Sequence, residues 1–186
     1  ERRLDAVFNQ TYQFTGLMEP DGTMIEANDT ALQFGNLKRE NVIGKPLWET
    51  YWTQTGEESK QKLREAIRRA AEGEFVRYER SVQGKEKTRI TDFSIRPVTN
   101  DKGEVTLLIP EARDITERKM RQKRLESLQE RLELAVGGAG LGTWDWDIET
   151  GEVIFNQQWA EMLGYSREEL DFRFEIWEEL VHPEDL

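Results

Sequence analysis

Side chains that most often carry nucleophilic, acid–base or thiolate chemistry are scarce here: among 186 residues there is one histidine, His182, and no cysteine. A Ser-His-Asp or Cys-His arrangement therefore cannot be assembled in the first two thirds of the sequence. Pro183, directly after His182, suits the first turn of a helix, so His182 reads as a structural residue at a helix start and as a poor phosphoacceptor. The run Gly137 to Gly142 looks superficially like a phosphate-cradling loop. Such loops follow a strand and open a helix, whereas this one follows a helical pattern and precedes a strand-like one, and no Gly-Lys-Ser/Thr is present, so a hinge is the better reading. Asp145 and Asp147 fall at i, i+2 on a predicted strand, with Trp144 and Trp146 on the other face. A solvated acidic face over buried tryptophans explains that pattern more simply than a metal site. Asn9 and Asn28 each begin an Asn-x-Thr triplet, which carries little meaning without a secretory leader.

One set of residues resists dismissal. Phe14, Phe34, Trp48, Tyr51, Trp52 and Phe93 are spaced so that they converge between strands and short helices, where a flat molecule could stack; with Asn28 they form the candidate ligand-binding set. The plainer alternative is that these aromatics fill a core.

The elements that must position them can be read from periodicity. A lead-in helix is expected at Leu4, Val7 and Phe8, then a hairpin whose turn is Pro20-Asp21-Gly22. Asn28 or Asp29 should cap a short helix that Gly35 stops, and Thr55 with Glu58 suggests a capping box. Leu63, Ala66, Ile67, Ala70 and Ala71 give the clearest helical spacing, ended by Gly73. Strands are predicted over 75–82, with Val76, Tyr78 and Val82 on one face, over 88–98, and from Val105 onward after a turn at 100–103. The last strand runs through Asp114 and Ile115 without a break into a charged helix from Glu117 to about Val136, with Thr116 as the predicted N-cap. The expected fold class is α+β: a five-stranded antiparallel sheet with helices on one face.

These pieces together resemble the PAS family of sensory domains. The residues that carry the resemblance are Pro20-Asp21-Gly22 leading to Asn28, Val42 to Pro46 followed by Trp48 and Glu49, Gly73 to Phe75, Asp92 to Ser94 with Pro97 and Val98, and the closing Asp114, Ile115 and Thr116. The resemblance covers residues 1–116, and 141–186 look like the opening of a second PAS domain, joined by a connecting helix and glycine hinge at 117–140. An internal repeat supports this at an offset of 129: Ile25 with Ile154, Ala31 with Ala160, Gly35 with Gly164, Glu40 with Glu169, and Trp48-Glu49 with Trp177-Glu178. Asn156 falls one position off from Asn28, and Ser166 with Glu169 suggests a further capping box. The sequence stops before the last three strands of that second domain, so it reads as an excerpt whose half-sheet leaves unpaired edges.

The resemblance implies a regulatory module of a multidomain signalling protein, a sensor histidine kinase first and a diguanylate cyclase or phosphodiesterase second, with no catalysis in this stretch. It implies that the pocket takes a small molecule, a non-covalently held flavin, or nothing. Cysteinyl-flavin relatives need a cysteine, and haem relatives use a histidine on the long helix that 59–73 lacks. It also implies signalling through Asp114 and Thr116 into a helix that pairs two chains. Leu125, Leu128, Leu132 and Ala135 follow a 3, 4, 3 spacing, a seam of under two heptads, so pairing along the helix or the PAS surface competes with a plain linker or a dimerisation scaffold with a filled core.

Composition bounds the partners. The formal charge of −11 speaks against nucleic acid, whose phosphates need clustered Lys and Arg. No run of about 18 apolar residues suggests a membrane span, the first residues do not resemble a signal peptide, and the lack of cysteine agrees with a cytoplasmic setting.

Overall fold

The computed structural model describes residues 8–166 together with 182 and 184. The chain divides into two compact units at Arg121/Gln122. Of the lead-in helix, Phe8 and Asn9 are helical, while Leu4 and Val7 lie outside the described residues, as do Glu169, Trp177 and Glu178 of the repeat.

In the first unit, strands β1 (Phe14–Met18), β2 (Met24–Ala27), β3 (Val76–Gln83), β4 (Thr88–Thr99) and β5 (Val105–Asp114) form one sheet in the order β2-β1-β5-β4-β3. Every neighbouring pair is antiparallel. Helix α1 (Asp29–Gly35), three short 3₁₀ turns and α2 (Glu57–Ala71) intervene between β2 and β3. The alternation read from the sequence is what the sheet uses. Phe93 and Ile95 of β4 are buried beside half-exposed Asp92 and Ser94, and Leu63, Ala66, Ile67 and Ala70 of α2 supply the buried helical stripe. Across the inner face the register places Tyr78 opposite Phe93, Phe93 opposite Ala112, and Ala112 opposite Phe14, so one row spans four strands.

Asn28 is the structural centre of the first hairpin. It is wholly buried; its Oδ1 accepts from the backbone N–H of Thr15 and of Ala31, and its Nδ2 donates to Phe8 O, Thr11 Oγ1 and Gln13 O. One side chain thus caps α1 and ties the incoming chain to β1. Helix α1 ends at Gly35 as expected, but the left-handed cap is the residue after it. Asn36 takes the left-handed conformation (φ 51°), and the N–H groups of Asn36 and Leu37 close back on Gln33 O and Leu32 O. Gly35 is needed for a different reason: a Cβ there would lie 2.6 Å from Trp52 Nε1. The capping box at Thr55 does not form. Gly56 occupies the N-cap of α2, and Thr55 Oγ1 bonds Ser59 Oγ instead.

Helix α3 (Thr116–Gly138) extends two residues past the predicted end and spans roughly 35 Å at 1.5 Å per residue. It closes with Gly140 N–H on Gly137 O and Leu141 N–H on Val136 O, so the glycine run is a helix terminus.

In the second unit, β6 (Trp144–Trp146) pairs antiparallel with β7 (Val153–Phe155), and α4 (Gln157–Met162) follows. Asn156 repeats the role of Asn28: its Oδ1 accepts from Thr143 and Trp159 N–H, and its Nδ2 donates to Leu141 O. The bonds reveal that the offset is 128 rather than 129. Gly16 faces Ala27 as Trp144 faces Phe155, and Gly164 (φ 82°), not aligned with Gly35, matches Asn36 in the left-handed position. The sequence matches at 129 follow side-chain identity, whereas the hydrogen bonds follow backbone geometry. Asp147 lies beyond the end of β6, where its carboxylate accepts from Glu149 and Thr150 N–H and closes the turn. Nor are both tryptophans buried, since Trp144 is 60% exposed.

Replacing Asn28 with Ala leaves several buried partners unsatisfied. The expected loss is about 2–4 kcal/mol of unfolding free energy, read as a lower urea midpoint with an unchanged slope.

Candidate functional site: the sheet cavity and the strand–helix joint

Between the inner face of the first sheet and its short helices lies a cavity of about 60 Å³. Four of the candidate ligand residues, Phe14, Phe34, Trp52 and Phe93, line it. Phe14 and Phe34 stack with centroids 4.7 Å apart, and Tyr78 meets Phe93 edge-on at 5.5 Å. The other three face elsewhere. Asn28 spends its polar atoms on the hairpin; Trp48 packs so close to the turn that a Cβ on Gly22 would sit 2.5 Å from its ring; Tyr51 reaches toward Gly84 O at 3.5 Å. Sequence spacing brings Phe14, Phe34, Trp48, Trp52 and Phe93 to the core but not Tyr51, and the 3₁₀ turns at 47–49 and 51–53 rotate adjacent residues to different sides.

Sequence reasoning missed Arg80. It stands on the inner face of β3 between Tyr78 and Val82, is 7% exposed, and lines the cavity. Its guanidinium carbon sits 5.2 Å from the Phe93 ring centroid, a cation–π arrangement. Neither its Nε nor its Nη2 has an acceptor in hydrogen-bond geometry among the described residues, nor has Trp52 Nε1 one, and the buried Tyr78 hydroxyl lies beside the guanidinium without closing a well-formed bond. Burial lowers the pKa of Arg80, opposed by Tyr78; burial raises that of Tyr78, opposed by the guanidinium beside it. The signal that could have found Arg80 was the period-two alternation itself, which puts position 80 inward whatever residue occupies it.

At the other end of the same strands the sheet becomes the long helix. Asp114 Oδ1 accepts the Thr116 N–H at 2.9 Å, while its Oδ2 lies 3.0 Å from Arg89 Nη1. Thr116 is the first helical residue rather than the N-cap. Its hydroxyl oxygen accepts the Ile90 N–H at 2.9 Å, so the group expected to cap the helix is committed to β4, and Asp114 satisfies the helix terminus. Ile115 is buried, donates its N–H to Ile90 O at 2.9 Å, and accepts the Lys119 N–H. Lys119 Nζ reaches Glu79 on β3 at 2.8 Å. Cavity and joint share a row of the sheet: Arg80 is opposite Thr91, Thr91 is opposite Asp114, and the buried Thr91 hydroxyl donates to Arg80 O at 3.0 Å.

Farther along α3, Leu125, Leu128 and Leu132 are 68%, 52% and 64% exposed. None of the described helices is long and apolar enough to cross a membrane.

The family models agree with this geometry. One described as a PAS fold matches residues 8–120, and a second PAS-fold model matches 152–186. The chain belongs to the PAS family. It is 40% identical over 124 residues to "Hybrid signal transduction histidine kinase D" of Dictyostelium discoideum, a match covering 64% of this chain and 8% of that protein. It is 32% identical over 136 residues to "Sensor histidine kinase TmoS" of Ectopseudomonas mendocina, covering 68% of this chain and 14% of that protein. The chain therefore spans a small fraction of either kinase. Among solved structures, the PAS domain of Bordetella pertussis BvgS superposes with a TM-score of 0.53 at 23% identity, covering 70% of this chain and 96% of that one, a likeness of fold. Residues 8–120 are thus a PAS domain homologous to those of sensor histidine kinases.

Gly35→Ala forces a methyl group against Trp52 and the cavity wall behind it. A loss of about 1–3 kcal/mol is expected, followed in urea by tryptophan emission.

Proposed function

We propose that this chain is the sensing and coupling part of a cytoplasmic sensor histidine kinase with no catalytic step of its own. A change in the cavity occupied by Phe14, Phe34, Trp52, Arg80 and Phe93 alters the sheet, Asp114 and Thr116 pass it to α3, and α3 pairs with a second copy along Leu125, Leu128 and Leu132. The observation that carries this reading is the joint itself. The strand ends at Asp114, the helix begins at Thr116, and the residue between them is buried and hydrogen-bonded to β4, so no slack separates sheet from helix. A rigid attachment of this kind lets a small shift in the sheet change the direction or pairing of the helix. Identity to two histidine kinases favours that output over cyclic-dinucleotide synthesis. The exposed leucines favour pairing over a bare linker, because three such side chains at heptad spacing form an apolar stripe that a second helix would cover.

A ligand in this cavity would be small. About 60 Å³ is far below the several hundred Å³ typical of sites for drug-sized molecules, which favours a compound of few heavy atoms over a flavin.

The joint is tested by Asp114→Ala in the parent kinase. The Thr116 N–H and Arg89 lose their partner at a partly exposed site, so a stability change of only about 1 kcal/mol is expected, while the signal-dependent change in autophosphorylation should disappear. A mutant that responds like the parent sinks the relay. Pairing is tested separately by Leu128→Asp, which should shift the sedimentation of the chain from dimer to monomer.

A further inference from the structure

Resting on the reading of the cavity as a ligand site, we propose that Arg80 recognises an anionic head group, and that the ligand is a small organic monocarboxylate with a short apolar body. Buried arginine is ordinarily accompanied by a carboxylate, because a guanidinium keeps its charge and an unpaired charge away from water is strongly unfavourable. Arg80 has no such companion among the described residues, and two of its nitrogens are buried without an acceptor. Neighbouring acids are engaged elsewhere: Asp92 with Arg77, Asp114 with Arg89, and Glu79 with Lys119. Glu111, the one acid bordering the cavity, alternates along β5 with the buried Pro110 and Ala112, which sends its side chain to the opposite face of the sheet.

A second buried donor near the cavity, packed over Gly35, is also unsatisfied. Trp52 Nε1 is buried and without an acceptor, and the indole N–H, like the guanidinium, can only donate. What the cavity lacks on the side of Arg80 is therefore a negative acceptor. A carboxylate supplies two oxygens and matches the planar donor edge of a guanidinium. The remaining wall restricts the rest of the molecule. Phe14, Phe34, Met24 and Val82 offer apolar surface and no second cation, so a dicarboxylate or a phosphate ester would leave its other charge uncompensated. Volume limits the body to a few carbon atoms.

The position of Arg80 also connects the head group to the joint. Its carbonyl accepts the Thr91 hydroxyl, and Thr91 is the cross-strand partner of Asp114, so a ligand that draws on Arg80 acts on the row that ends at the root of α3.

The test uses the whole 186-residue chain. Propionate and butyrate are titrated against propionamide and butyramide by calorimetry at neutral pH and constant ionic strength. Each carboxylate should bind about tenfold or more tightly than its amide, the margin of a charge-assisted hydrogen bond over a neutral one. Arg80→Met should abolish that preference while leaving the thermal midpoint of the ligand-free protein equal or higher, since it removes an unpaired buried charge. Arg80→Lys, which keeps the charge without the planar fork, should retain part of the preference and serves if the methionine variant fails to fold. Equal binding of acid and amide, or undiminished carboxylate binding by Arg80→Met, overturns the anion assignment and leaves the cavity as a site for neutral ligands. Binding of none of the four overturns the ligand-site reading together with it.

Discussion

The hydrogen bonds that Ile90 makes to Ile115 and Thr116 are the constraint on which this molecule turns. A helix emerging from a strand ordinarily has its first N–H groups free and its direction set by whatever loop precedes it. Here the loop is one residue long, that residue is buried, and the backbone of β4 holds both it and its successor. Asp114 then satisfies the helix terminus from inside the strand, with Arg89 on its other oxygen, and Lys119 adds a contact to β3. The placement of the first turn of α3 is consequently a property of the sheet.

The inner face of the same sheet carries the cavity. Most of that face is packed by Ile95, Leu108 and Val76 against α2, but near Phe14, Phe34 and Phe93 the packing is incomplete and a guanidinium stands where a hydrophobe would be expected. Unsatisfied donors in a core lower stability, and here they stand beside the row leading to the joint, where local consistency breaks down.

The two Asn-capped hairpins show what a repeat conserves in physical terms. Asn28 and Asn156 make equivalent bonds to strand and helix at an offset of 128, while the side-chain identities drift to 129. The first hairpin carries a register shift between Leu17 and Met18 that the second lacks, yet both close over equal lengths of chain, Gly16 to Ala27 and Trp144 to Phe155. Backbone hydrogen bonds must be met in each copy, whereas an apolar or small residue can serve from a neighbouring position.

Much of this architecture is written in periodicity. Alternation over 88–98, the i, i+3, i+4 stripe from Leu63 to Ala70, and an unbroken charged run after Thr116 specify strands, helix and their continuity, because the faces to be buried recur at the spacing of the backbone itself. The family follows from the order of those pieces. Local sequence could not say which of several aromatics would meet. Trp48, Tyr51 and Trp52 are near neighbours in the chain, and only Trp52 reaches the cavity, because the orientation of a 3₁₀ turn depends on what packs beneath it. Nor could it say that Thr116 would bond β4 instead of its own helix, or that Arg80 would be left without an acid, since both outcomes depend on partners that strand pairing brings in from distant positions in the chain.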